Sequence, residues 1–325
     1  MSDVESRRSL VTGATGYIGG HLAALLVERG QNVRAMARTP EKLRDVPWRD
    51  EVEVVRGDLG DPDSLVAAFD GVDVVYYLVH SMGSSKDFVR EEENSARNVA
   101  AAAEKAGVRR IVYLSGLHPT GELSRHLRSR NAVGEILMAS SVETVVLQAG
   151  IVVGSGSASF EMIRHLTDRL PVMTTPKWVR NKIQPISIDD VLHYLVEAAD
   201  APIEKSRTFD IGCPDVLEYA DAMQVYAEEA GLRRRFIVAL PLLTPSIASW
   251  WVGLVTPIPS GLARPLVESL EHDAVMSEHD IDAVIPPPPG GLTGFRESVV
   301  RALKQDGATG KGRRHLIRFS SVAPQ

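Results

Sequence analysis

Gly13, Gly16 and Gly19 recur at three-residue spacing within Thr12-Gly13-Ala14-Thr15-Gly16-Tyr17-Ile18-Gly19. Gly13 allows a tight turn, Gly16 lets backbone N–H groups approach a phosphate, and Gly19 lets a helix pack closely on a strand. Apolar Leu10-Val11 precedes the run, and His21 to Val27, of helical composition, follows it. Strand, glycine turn and helix in that order aim the positive end of a helix at anionic groups. The chemistry expected of Gly13, Thr15, Gly16, Tyr17, Ile18 and Gly19 is therefore the binding of a dinucleotide pyrophosphate. The bland alternative is a glycine turn without a ligand.

A site for NAD usually carries an acidic residue about 20 residues beyond the glycines, to bind the ribose hydroxyls. Here the corresponding stretch is Arg34-Ala35-Met36-Ala37-Arg38-Thr39-Pro40, with Arg38 and no carboxylate at the strand end. A guanidinium there can hold a 2′-phosphate through paired hydrogen bonds and stack on adenine, with Lys42 assisting. NADP(H) is the expected cofactor and NAD(H) the alternative; Arg38 as a plain surface charge is the competing reading. Ligands of open α/β sheets sit beyond the strand carboxyl ends. Leu78 and Val79, ending the fourth strand, are expected at the cofactor, and His80 beside the reacting end. Tyr76, Tyr77 and Ser81 cluster with them, although at least one tyrosine is expected in core packing.

The elements that must position these groups alternate along the first half. Strands are read at Leu10-Val11, Val33 to Ala37, Val52 to Val55, Val72 to Val79, Arg110 to Leu114 and Thr144 to Leu147. The clearest helix runs from Phe88 to Ala106 and stops at Gly107. This rhythm predicts an α/β fold: a doubly wound parallel sheet of Rossmann type with right-handed crossovers. Further on, helices are expected at Phe160 to Leu170, Ile188 to Ala199 and Tyr219 to Ala230, near Arg264 to His272, and at Thr293 to Lys304. Thr208 to Ile211 is a strand. The domain reading is a tail at 1–8, a dinucleotide-binding domain at 9–155 and a smaller, mostly helical C-terminal lobe at 156–306. That lobe interleaves with the first domain near 183–212, and a polar tail follows at 307–325.

These motifs resemble the short-chain dehydrogenase/reductase superfamily, in its extended or atypical branches, over roughly Leu10 to Ile211. Besides the glycine run, Gly57-Asp58-Leu59 with Asp61 is similar to its third-strand element. Ile111 to Ser115 resembles the strand ending in an active-site serine, and Gln184 to Val191 an element of extended members. NmrA-like proteins and complex I accessory subunits look nearest. The resemblance implies that Asp58 and Leu59 line the adenine pocket, although Asp58 could equally cap a turn. Active members carry Tyr-x-x-x-Lys after the serine, and no tyrosine of this chain has lysine four residues later. Where the pair belongs, His126-Leu127-Arg128-Ser129-Arg130 stands.

Two functions follow. In one, the chain is an atypical NADP(H)-dependent oxidoreductase of a small or lipophilic carbonyl or enone. Ser115 then hydrogen-bonds the substrate, His126 donates the proton with an ordinary pKa near 6.5, and Arg130 binds the cofactor ribose. In the other, it is a redox-silent NADP(H)-binding regulator or assembly protein. His126 as an exposed helix residue is the bland reading of that position. Gln148-Ala149-Gly150 closes the sixth strand, and Ile151 to Gly156 are expected to border the nicotinamide.

The 325-residue chain carries a net charge of −6, which gives no reason to expect a nucleic-acid partner. Its single cysteine, Cys213, rules out an intrachain disulfide and suits the cytoplasm, where the short polar start without an apolar stretch also places it. No His/Cys grouping has metal-ligand spacing, so no metal is expected; His272 and His279 are too loosely set. Phe236 to Ala263 contains no charged residue, but Pro241, Pro245, Pro257, Pro259 and Gly253 argue against a spanning helix. Trp178, Trp250 and Trp251 could form a lid over a greasy substrate, touch a membrane surface, or pack a core; core packing is the favoured reading. Arg233-Arg234-Arg235 is read as a solvated turn. Oligomeric state is left open.

Overall fold

The computed structural model describes residues 7–80, 87–118, 123–239, 268 and 270–308. Seven parallel strands form the central sheet: β1 (Arg8–Thr12), β2 (Asn32–Ala37), β3 (Glu53–Arg56), β4 (Val74–Tyr77), β5 (Arg110–Gly116), β6 (Glu143–Ala149) and β11 (Arg207–Ile211). Their order is β3-β2-β1-β4-β5-β6-β11, which reverses direction between β1 and β4. Such a reversal opens a crevice at the strand carboxyl ends.

Alternation along the strands feeds two cores. Val11 and Tyr76 face helices α1 (Tyr17–Glu28) and α6 (Ile188–Ala198), with Leu22, Leu26, Val191 and Leu195. Leu10, Val75 and Tyr77 face α2 (Pro62–Phe69), α3 (Phe88–Ala106) and α4 (Arg125–Met138), with Phe69, Val99 and Leu137. Burial on both faces explains the near-continuous apolar strands. Gly107 ends α3 in the left-handed region, at φ 70°.

The fourth strand is shorter than the apolar run Val72 to Val79. Thr12 supplies the reason: its Oγ1 donates to the Tyr76 carbonyl at 3.0 Å and accepts from the Leu78 amide at 3.1 Å. A side chain thus replaces the sheet ladder where β1 bends into the glycine turn. Buried arginines finish the layers. Arg34 donates to the Ala68 and Asp70 carbonyls at the end of α2 at 2.9 and 2.8 Å. Arg110 does the same for Ala198 and Ala201 beyond α6, at 2.9 and 3.0 Å. Helix ends buried without such donors would leave orphan carbonyls.

A third core lies in the C-terminal half. It joins α5 (Ala158–Arg169), α7 (Tyr219–Glu229) and α8 (Phe295–Ala308) with Trp178, whose ring meets Tyr219 edge-on at 5.5 Å. Trp178 therefore packs the core and forms no lid; Trp250 and Trp251 lie outside the described residues. Three two-stranded sheets complete this half: β7 (Val152–Val153) with β10 (Ile186–Ser187), β8 (Val172–Thr175) with β13 (Phe236–Ala239), and β9 (Lys182–Ile183) with β12 (Leu217–Glu218).

Two sequence readings change here. The helix expected near Arg264 to His272 falls mostly outside the described residues, and Leu270 to His272 form a turn and bend. That turn leads Ala274 onto the edge of β9, where its amide donates to the Lys182 carbonyl at 2.8 Å. In the basic run, Arg235 is buried and its Nε donates to the Thr167 carbonyl at 2.8 Å, so only Arg233 and Arg234 are solvated. Among the described residues no helix is long and apolar enough to cross a membrane, and no His/Cys/Asp/Glu group could hold a metal ion.

The two halves are locked by Asp190. Its buried carboxylate accepts from the Thr293 amide at 2.9 Å and the Thr293 hydroxyl at 3.3 Å. Asp190→Ala would strand both donors, and we expect a loss of roughly 2–4 kcal/mol in urea-denaturation stability. An unchanged midpoint would contradict that role.

Candidate active site

The glycine turn is built by crowding. A Cβ at Gly13, where φ is +71°, would sit 2.8 Å from the Leu78 carbonyl oxygen, and one at Gly19 would sit 2.3 Å from the Gly13 carbonyl oxygen. Only glycine lets β1, β4 and the start of α1 converge so closely. No side chain caps the N-terminus of α1, and no acidic residue occupies its first turn. Its leading amides are left to an external acceptor, the arrangement an anionic ligand requires.

An open cleft of about 540 Å³ runs from this turn along the strand ends. Gly13, Thr15, Gly16, Tyr17, Ile18 and Gly19 line one end with Arg38, Asp58 and Leu59, and Leu78 and Val79 floor it. His80, Ser115, His126 and Arg130 line the same cleft further along. Lys42 is not part of the lining. Tyr76 and Tyr77 are buried on opposite faces of the sheet and only His80 of their cluster reaches the cleft; Ser81 lies outside the described residues.

Arg38 stands exposed just past β2. Asp58 does cap a turn, its Oδ1 accepting from the Gly60 amide at 2.9 Å, while still bordering the cleft. Leu59 is buried, and its carbonyl accepts from Asn98 Nδ2 at 2.8 Å.

At the other end, α4 presents His126 and Arg130 one turn apart on one face. Ser124 caps this helix, accepting from the Leu127 amide at 3.2 Å. Arg130 Nη2 donates to the Leu114 carbonyl at 2.9 Å and to His80 Nε2 at 3.0 Å, so His80 carries its proton on Nδ1. Arg130 Nε–H is buried without a hydrogen-bond partner. Ser115, next to last in β5, is buried near the Tyr113 phenol, whose pKa burial raises against the pull of Arg130 and Ser115.

His126 departs from both sequence readings. It is buried, not a solvated helix residue, and its pKa is lowered to about 4 by burial and by Arg130. Burial also lowers His80 and His118, with Arg130 adding to each. Burial, reinforced by one fixed cation, thus disfavours the charged form of all three imidazoles. A neutral His126 offers an N–H hydrogen bond, not a labile proton, to a substrate oxygen.

The cleft contains residues that sequence reasoning missed. Gly57 was legible in its motif; its Cβ would fall 2.4 Å from Met36 Sδ, and both residues line the wall. Ser95, Leu117 and Ser157 to Ser159 also contribute, beside the foreseen Ile151 and Val152. Ile183, Leu270 and Ala274 come from the C-terminal half and gave no signal, because only tertiary pairing brings them together. Cys213 is buried outside the lining, its thiol pushed up to about 11 by burial.

Residues 13–155 match the NAD(P)H-binding family model. That match and the order of the central sheet give the chain a Rossmann-type fold with an NAD(P)H-binding domain over residues 13–155. It is 28% identical to a ceramide reductase of Caulobacter vibrioides over 303 residues, 89% of this chain and 92% of that one. A 3β-hydroxysteroid dehydrogenase/Δ5→4-isomerase of Mycobacterium tuberculosis is 35% identical over 121 residues, which span 34% of this chain and 32% of that one. The solved triphenylmethane reductase of Citrobacter sp. complexed with NADP(H) shares the fold, with a TM-score of 0.70 at 19% identity, over 91% of this chain and 99% of that one.

Two outcomes test the site. Gly13→Ala should remove NADPH-induced thermal stabilisation from a protein that still folds, because the added methyl displaces the turn; retained stabilisation would contradict the crowding argument. Because His126 has a lowered folded pKa, its neutral form contributes stability above about pH 6.5, lost as pH falls toward 4. A proton NMR titration should place its midpoint near 4; a midpoint near 6.5 would refute its burial beside Arg130.

Proposed function

We propose that the protein is an NADP(H)-dependent reductase of a lipophilic carbonyl or enone. The observation that carries this reading is the composition of the cleft. One end offers the free amides of α1 and the Arg38 guanidinium; the other offers polar donors against an apolar wall of Leu117, Ile151, Ile183, Leu270 and Ala274. A long apolar substrate suits that wall, and the likeness to a ceramide reductase over most of both chains supports the same class.

Arg38 would hold the 2′-phosphate of NADP(H), and Arg130 Nε–H a ribose oxygen. When bound, the cofactor supplies the hydride. The chain's own work is alignment and polarisation. Ser115 and the neutral His126 direct hydroxyl and N–H groups at the carbonyl oxygen, stabilising the charge that develops there. Arg130 fixes His80 and strengthens the local positive field without needing to titrate. The proton that completes reduction comes from solvent through the open cleft, since no group described at this end is held protonated and labile at neutral pH.

Arg38→Ala should weaken NADPH binding by about tenfold or more and leave NADH binding nearly unchanged, read by thermal stabilisation or titration calorimetry. Equal losses for both cofactors would remove the assignment of NADP(H). NADPH consumption should be followed with long-chain ketones and enones. The activity should fall by about 10²–10³-fold in His126→Phe, with NADPH affinity retained. NADPH binding without turnover on the whole panel would favour a redox-silent regulator.

A further inference from the structure

The parallel pair β8–β13 carries a feature that the cleft does not use. Phe236 and Val172 are register partners, with Val238 one alternation further along the same face. They are 69%, 60% and 51% exposed, three of the five large hydrophobic residues most exposed among those described. Their neighbours Met173 and Ile237 point the other way, into the core of the C-terminal half. The outward apolar face is thus fixed by strand alternation and is not a frayed end.

Cations bracket this face. Arg233 and Arg234 lead into β13, and Lys177 follows β8 after Pro176; all three are exposed, and none has a partner among the described residues. The nearest carboxylate before β8, Asp168, is engaged by the Tyr226 hydroxyl at 3.0 Å and lies 3.9 Å from Arg164 Nε. A chain of net charge −6 therefore concentrates unpaired positive charge at both ends of an apolar strip. The sequence that follows β13, residues 240–263, has no charged side chain.

We propose that the β8–β13 face docks on an anionic lipid surface. An aromatic ring and two valines enter the interfacial region while the flanking Arg and Lys side chains pair with phosphate headgroups. Each basic residue near such a surface adds an attraction that salt screens, and the apolar strip adds a part that salt does not remove. A protein partner is disfavoured by the pattern: the face has no acidic or amide side chain to specify one, and its cations are arranged as a rim. The inference does not depend on the reductase reading, because no residue in it lines the cleft.

Flotation of the full-length protein with vesicles tests it. Vesicles of phosphatidylcholine mixed with phosphatidylglycerol should bind the protein at low salt, and those of phosphatidylcholine alone should bind far less. Phe236→Ser/Val238→Ser and Arg233→Glu/Arg234→Glu should each weaken binding by about tenfold or more. Val66→Ser, which removes an equally exposed valine on α2, should leave it unchanged. NADPH-induced stabilisation should be normal in all three, showing that they fold. Absence of binding to either vesicle overturns the proposal, as does binding that survives both double variants. Loss of self-association in the face variants, without vesicle binding by the native chain, would assign the surface to a second copy instead.

Discussion

Backbone crowding at the end of β1 is the constraint on which the rest depends. Gly13 lies against the Leu78 carbonyl and Gly19 against the Gly13 carbonyl, so a turn, a neighbouring strand end and a helix start share a space that no Cβ could enter. Thr12 releases β4 from its ladder at the same level. The outcome is a crevice whose phosphate end is made of backbone. Side chains from distant parts of the chain are then free to define the reacting end.

That reacting end is organised by one arginine. Arg130 stands where the superfamily's motif has lysine, yet it is committed to the Leu114 carbonyl and His80. Its charge, with burial, holds His126 well below the ordinary histidine range. The substitution of Tyr–Lys by His–Arg therefore changes the kind of help available. A tyrosine whose proton is loosened by lysine gives way to a neutral imidazole fixed as a donor. In the reductase we propose, polarisation of the substrate oxygen survives that exchange, and delivery of the proton passes to water.

Much of this was legible before the fold. The spacing of Gly13, Gly16 and Gly19 located one end of the cleft, and the Val72 to Val79 run located a strand buried on both faces. His126 and Arg130 were found by looking where a Tyr–Lys pair was missing. What sequence could not show follows from tertiary contact. The protonation of His126 depends on burial and on a guanidinium one turn away. Ile183 and Ala274 meet only because an extended segment returns to β9. Trp178, read in part as a lid, is captured by Tyr219, and Arg235 is drawn from a basic run into the core to serve the Thr167 carbonyl. In each case the residue type allowed two roles, and packing chose one.

The central claim is that this cleft performs hydride transfer and does not merely hold a cofactor. A crystal structure of the NADPH complex tests it most directly. We expect the nicotinamide C4 to face open space bounded by Ser115, His126, Leu117 and Ile151, with the His126 ring within hydrogen-bond reach of a substrate oxygen placed there. A C4 face packed against protein side chains, with no room for a substrate, would contradict it.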